Sequence, residues 1–153
     1  MSPEAVAAVV AALAAVVTLV WQISVHKNSG HKVHVKNSYI TPVYEDMHLG
    51  DDDFIQVEVM NRGGKPVTVT NYAVGMGNRK SGTNMFVLRP PVWATALPAV
   101  AEPAGVPIKL LVPVSDLQKA RHSKGIPFDK MTPWVELGDG RRIYSANPIP
   151  MAD

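Results

Sequence analysis

Residues 3–25, PEAVAAVVAALAAVVTLVWQISV, carry one charge, Glu4, at their very start and no other before Lys27. A helix rises about 1.5 Å per residue and the hydrocarbon core of a bilayer is roughly 30 Å thick, so about 20 such residues cross it. A segment this apolar constrains the rest of the chain, because it must find apolar surroundings and cannot serve as an ordinary surface helix. The expectation is a single membrane span over residues 1–26, followed by a basic juxtamembrane segment over 27–38 that leads into the first strand. A β-rich domain then occupies 39–153.

The start of the helix is marked in the sequence. Ser2 suits the cap, Pro3 suits the first helical position, where no amide donor is needed, and Glu4 suits the positive end of the helix dipole. Trp21 falls near the far end, where an amphipathic ring fits the headgroup level, and Val25 closes the span. Two other readings compete. A cleaved signal peptide needs a basic n-region and a small-residue cleavage site, and neither stands before Lys27 or in WQISVHKN. A buried core helix is usually shorter and keeps a polar face.

The flanks give an orientation. Lys27, Lys32 and Lys36 follow the span, with His26, His31 and His34 among them, while no Lys or Arg precedes it. The positive-inside bias predicts a cell (inner) membrane protein with its N-terminus outside and its C-terminal domain in the cytoplasm, the three lysines meeting lipid headgroups. The lack of cysteine is compatible with a reducing compartment. On the span itself, Ala7, Ala11 and Ala15 stand four apart on one face, a spacing that permits close association with another helix in lipid.

Composition bounds the remainder. All fifteen Lys and Arg and twelve of the thirteen acids lie beyond the span, a net +3 that is spread along the chain. A nucleic-acid surface would cluster its cations, so none is expected. Thirteen prolines and eleven glycines argue against a helical bundle and for short strands joined by turns.

Alternation places the strands. Residues 32–38 put Val33 and Val35 on one face. Residues 54–61, FIQVEVMN, put Ile55, Val57 and Val59 against Gln56, Glu58 and Met60. The turn Arg62-Gly63-Gly64-Lys65-Pro66 predicts a hairpin with residues 67–74. Shorter strands are expected at 85–88 and 106–112. Residues 97–103 are expected along the sheet but outside its centre, since proline cannot donate to a ladder. Ser115 and Gln118 match a capping box that opens a short helix ended by Gly125. A last hairpin crosses Gly138-Asp139-Gly140. The fold class is mainly β: an immunoglobulin-like antiparallel β-sandwich with one short helix, with a partly open barrel as the rival.

Three parts of this series resemble small membrane proteins of actinobacteria and actinophages that have one N-terminal span and a β-sandwich domain. They are VEVMNRGGKPVTVTNYAV, LPAVAEPAGVPIKLLVPVSDLQKA and WVELGDGRRIYSANP, with shared elements at residues 61–63, 66–69, 102–107, 112–117 and 139–141. The resemblance covers residues 55–147 and departs from the group's more polar pattern at Gly105-Val106-Pro107. That group has no assigned catalytic residues, so the likeness implies a fold and an anchor without a chemistry.

Candidate sites are few. Glu45, Asp46, Asp51, Asp52 and Asp53 could offer oxygens to calcium, but their spacing does not fit an EF-hand; a solvated loop, or one facing residues 27–36, is the expectation. His31 and His34, three apart on a strand, would point to opposite faces and make no metal site. No Gly-x-Ser-x-Gly elbow or cysteine nucleophile occurs, and Gly75-Met76-Gly77 lacks the length and the following helix of a phosphate loop. The expectation is a non-catalytic module without cofactor or metal. It would be held on membrane lipid and bind or scaffold another protein, or act as an accessory subunit of a membrane complex; the third reading, ranked behind these, is an enzyme whose site is assembled from loops and is not visible in the sequence.

Overall fold

A computed structural model describes residues 2–28, 30, 32–41, 53–77, 82–86 and 94–151. Helix α1 spans Pro3–Asn28. The strands follow as β1 (Val33–Ile40), β2 (Phe54–Asn61), β3 (Val67–Met76), β4 (Thr83–Phe86), β5 (Ala99–Ala101) and β6 (Ile108–Pro113). Helix α2 (Val114–Lys124) and a 3-10 turn at Phe128–Lys130 then lead to β7 (Met131–Leu137) and β8 (Arg142–Tyr144).

All strand pairs are antiparallel and fall into two sheets, β1-β2-β6 and β4-β3-β7-β8, with β5 added beside β3. One buried cluster draws on both. Val35, Ile55, Val57, Val59, Leu110 and Val112 come from the first sheet, and Val69, Tyr72, Val74, Met131, Val135 and Leu137 from the second. The alternation read in β2 holds, since Ile55, Val57 and Val59 are buried while Gln56, Glu58 and Met60 are half-buried. In β3 the period slips once. A register shift between Val69 and Asn71 turns the strand so that Val67 and Val69 before it, and Tyr72, Val74 and Met76 after it, all join the core.

Three expectations are corrected. Strands β2 and β3 are not a hairpin: β2 pairs with β1 and β6, whereas β3 pairs with β4, β5 and β7. The intervening turn carries the chain from one sheet to the other, guided by a buried side chain described below. Ser115 does not cap α2, which starts two residues earlier than that cap implies, with Pro113 at the cap position and no side-chain cap bond. Val114 is buried, and its N–H finds the carbonyl of Asp53 at 2.9 Å, so the helix entry is satisfied by backbone. Strand β6 begins at Ile108 rather than Val106, the first position after Pro107, which has no N–H to give a ladder.

Other features match the sequence reading. Gly125 ends α2 at φ 65° with its N–H on the Arg121 carbonyl, 2.8 Å away. Strands β7 and β8 form the final hairpin, and residues 99–101 make only a three-residue edge on β3. The first strand straddles the division expected at residues 38 and 39, since Val33–Ile40 pairs along its whole length with β2.

Candidate functional site

Helix α1 begins at Pro3, and the Ala5 N–H reaches the Ser2 hydroxyl oxygen at 3.3 Å. Over residues 5–24 its mean hydropathy is 2.4 and none of the segment is buried within the chain. Its apolar side chains stand open all round, from Val6 at 46% to Trp21 at 70% exposure, and Ala7, Ala11 and Ala15 are exposed with them. Thr18, the one hydroxyl in mid-helix, donates to the Ala14 carbonyl at 2.8 Å and so covers its own polarity. Among the described residues, α1 is thus the one helix long and apolar enough to cross a membrane.

Beyond α1 the chain enters the domain at a defined place. The Arg62 N–H donates to the Lys32 carbonyl at 2.8 Å, and Val33 pairs with Asn61. Gly63 lies under Gly30: a Cβ there would fall on the Gly30 carbonyl oxygen and 2.7 Å from the Lys32 nitrogen. Only a glycine lets the connection pass so close. Asn61, 5% exposed, organises this end of the fold. Its amide donates to the carbonyls of Lys65 (2.7 Å) and Ala101 (2.9 Å), its side-chain oxygen accepts the Gly63 N–H (2.9 Å), and its own carbonyl accepts the Ala104 N–H (3.1 Å). Asn61 thus ties down, by its side chain, the turn at 62–66 and the end of β5 and, by its main-chain carbonyl, the loop at 102–107, beside the point where α1 joins the domain. The β7–β8 turn lies at the same end, with the Gly138 N–H on the Thr68 carbonyl at 2.8 Å.

The lysines assigned to headgroups separate. Lys27 is within α1, and its side chain lies outside the described residues; Lys32 is exposed immediately before β1. Lys36 is exposed farther along β1, opposite Glu58, about 10 Å beyond Val33 at 3.3 Å per residue. His34 is exposed on the same outer face, opposite Met60, while His31 and the side chains of His26 and Val25 lie outside the described residues.

The far end of the domain carries the remaining candidates. Of the acidic stretch, Asp53 alone falls among the described residues; it accepts a hydrogen bond from the Tyr39 hydroxyl, at the opposite end of β1 from Lys32. That bond holds the Asp53 carboxyl below, and the Tyr39 phenol above, its ordinary value. On α2, His122 borders open clefts of about 460 and 590 Å³, lined among others by Arg121, Gln118, Lys119 and Ser123. Among the described residues no group of three or more His, Cys, Asp or Glu is placed to hold a metal ion.

The sheet edges are largely occupied. On β6, the Lys109 carbonyl accepts the Thr95 N–H at 3.0 Å and the Leu111 carbonyl accepts the Tyr72 hydroxyl at 2.8 Å. On β1, the Asn37 amide donates to the carbonyls of Asn147 and Pro148 at 3.0 and 3.1 Å, drawing the C-terminal segment across. On the outer face of the second sheet, Trp134 is fully buried. Its indole N–H donates to Asn84 at 3.0 Å and the Arg142 guanidinium lies 4.3 Å from its ring centroid. Sequence reasoning missed Asn61 as an organiser and Tyr72 as a tie between sheets. A polar residue closing an otherwise apolar strand, and an aromatic set out of period, were the signals. Comparison with known proteins found no matching family model, no matching curated protein and no matching solved structure.

Proposed function

We propose that this chain is a single-pass membrane protein whose β-sandwich domain serves as a non-catalytic module for binding or scaffolding another protein. The observation that carries the reading is α1: twenty consecutive residues of mean hydropathy 2.4 with no cover from the rest of the chain. Exposing that much apolar surface to water is unfavourable at about 25 cal/mol per Å², so the helix calls for lipid or protein around it. The basic flank after the helix supports an inner-membrane placement with the N-terminus outside and the domain in the cytoplasm.

The strand order supports an immunoglobulin-like sandwich. Taking β1, β2 and β6 as strands A, B and E, and β3, β4, β7 and β8 as C, C′, F and G, assigns each to the sheet it occupies in that fold, with β5 as an addition. The buried Trp134 stands on β7 instead of the C strand, and there are no cysteines for an inter-sheet disulfide. Tyr72 does the work of a tie between the sheets. The sequence likeness to the actinobacterial and actinophage group agrees with this architecture.

A second reading, an accessory subunit of a membrane complex, draws on the exposed face of Ala7, Ala11 and Ala15. Purification of the full chain in mild detergent separates the two. A stoichiometric membrane partner that dissociates when Ala11 is replaced by Leu supports the subunit, and a solitary chain supports the tethered module. Recovery of the full chain without detergent, as a soluble monomer, would contradict both.

A further inference from the structure

We infer that the end of the domain nearest α1 is a lipid-contacting face, with Val106 seated among headgroups and Arg62 and Lys65 on anionic lipid. The inference rests on the span reading and extends it from the helix to the domain. Val106 is the most exposed large apolar side chain described, at 87%, and it sits in a loop of small and rigid residues, Pro103, Ala104, Gly105 and Pro107. Ala104 holds φ 52°, a left-handed conformation unusual for a residue with a Cβ, and its N–H is bound to the Asn61 carbonyl at 3.1 Å. The loop is thus held in a set shape while presenting an apolar tip to its surroundings.

Its position is what identifies the occupant. The Asn61 network binds this loop and the turn bearing exposed Arg62 and Lys65 to one spot, directly beside Lys32, where the chain arrives from α1. The apolar window of α1 ends at Ser24, α1 continues to Asn28 and β1 starts at Val33. With about 1.5 Å per helical residue and at most about 3.5 Å per extended one, the connection is no longer than about 25 Å. The headgroup layer takes up the first 5–7 Å or so of that reach. The end of the domain carrying Val106 is therefore the end kept next to the bilayer. Among the described residues, the two bound segments carry exposed Arg62 and Lys65 and one acid, Glu102, while Asp139 and Arg141 on the neighbouring turn pair with each other at 2.7 Å. Basic side chains around an apolar tip match an anionic leaflet, to which each nearby Lys or Arg contributes about 1 kcal/mol. Helix α2 is at the other end, where Pro113 pairs with Phe54, and it serves as the internal control.

The natural chain has no cysteine, so a single V106C in the full-length protein can be labelled with an environment-sensitive nitrobenzoxadiazole probe. A second protein carries S123C on α2. Both are reconstituted into vesicles of phosphatidylcholine with or without phosphatidylglycerol and with a nitroxide-bearing lipid at headgroup depth. The expected result is a blue-shifted emission and loss of intensity to the nitroxide at position 106 only, stronger with phosphatidylglycerol. Both signals should be reduced by R62E/K65E while the chain still floats with the vesicles. A floating chain whose probe at 106 stays in water, or responds no more than the probe at 123, overturns this inference alone. A shift at 106 that appears only when membrane proteins are added assigns the face to a protein and overturns it as well. A chain that does not float overturns the span reading and this inference together.

Discussion

Tyr72 on β3 donates its phenolic hydroxyl to the carbonyl of Leu111 on β6 at 2.8 Å, so that one side chain crosses the core and closes the gap between the two sheets. The tyrosine is 5% exposed. Its ring fills the core while its hydroxyl meets a main-chain carbonyl of β6.

Replacing Tyr72 by Phe keeps the ring and leaves the Leu111 carbonyl without this donor, at a cost of about 1–2 kcal/mol. A lower urea midpoint at unchanged slope, followed by tryptophan fluorescence, is the expected result. Burial pushes the Tyr72 phenol up to about 12 from 10.0. A folded-state value raised above the unfolded one gives stability that is complete below about pH 10 and is lost as pH rises toward about 12. The difference in stability between the natural chain and Y72F should therefore shrink across that alkaline window and stay constant from neutral pH to about 10. A constant difference throughout would show that the phenol titrates normally.

Asn61→Ala removes two donors and one acceptor from a buried site, leaving the Lys65 and Ala101 carbonyls and the Gly63 N–H without it. The expected loss is about 2–4 kcal/mol in denaturant titration. Asn61→Asp should be at least as damaging despite its nearly identical shape, because a carboxylate would face two carbonyl oxygens. If Asp were tolerated, the donor role of the amide would be refuted.

Two glycines should respond differently to alanine. Gly125 needs its positive φ of 65° but has open space around it, so Ala should cost about 1 kcal/mol, and Asn less. At Gly63 the obstacle is steric, with the Gly30 carbonyl and the Lys32 amide in the way. Gly63→Ala should loosen the junction of α1 with the domain, read as faster limited proteolysis between residues 28 and 33. Cleavage at the natural rate would mean that the close approach of Gly30 is dispensable.

The strands were legible because burial alternates with a period of two: β2 runs over the residues its alternation marks, and Gly138-Asp139-Gly140 makes its hairpin. The partner of a strand was not legible. The turn after Asn61 signals a reversal of direction, but its residues do not say that the chain changes sheet; that passage goes with long-range contacts such as the Asn61 amide on the Ala101 carbonyl. Ser115 and Gln118 carry the pattern of a cap, yet the burial of Val114 and Leu117 sets where α2 begins. Helix α1 stood out from its composition alone. The face around Val106 did not, because residues 62–65 and 102–107 are brought together by hydrogen bonds between positions about forty apart in the chain.

Orientation is tested by a reporter at the C-terminus. A green fluorescent protein fused there should fluoresce and an alkaline phosphatase should be inactive. Exchanging Lys27, Lys32 and Lys36 for Gln while adding lysines before Pro3 should invert or scramble the result. An active phosphatase on the natural chain would put the domain outside, and its binding partners with it.

The central claim, that α1 holds the domain to a membrane, is tested most directly by alkaline carbonate extraction of cells expressing the full chain, with the mass of the recovered protein measured. The account predicts the intact chain of 16.5 kDa in the membrane pellet. Intact chain in the carbonate supernatant, or a shorter soluble protein lacking the residues of α1, would contradict it.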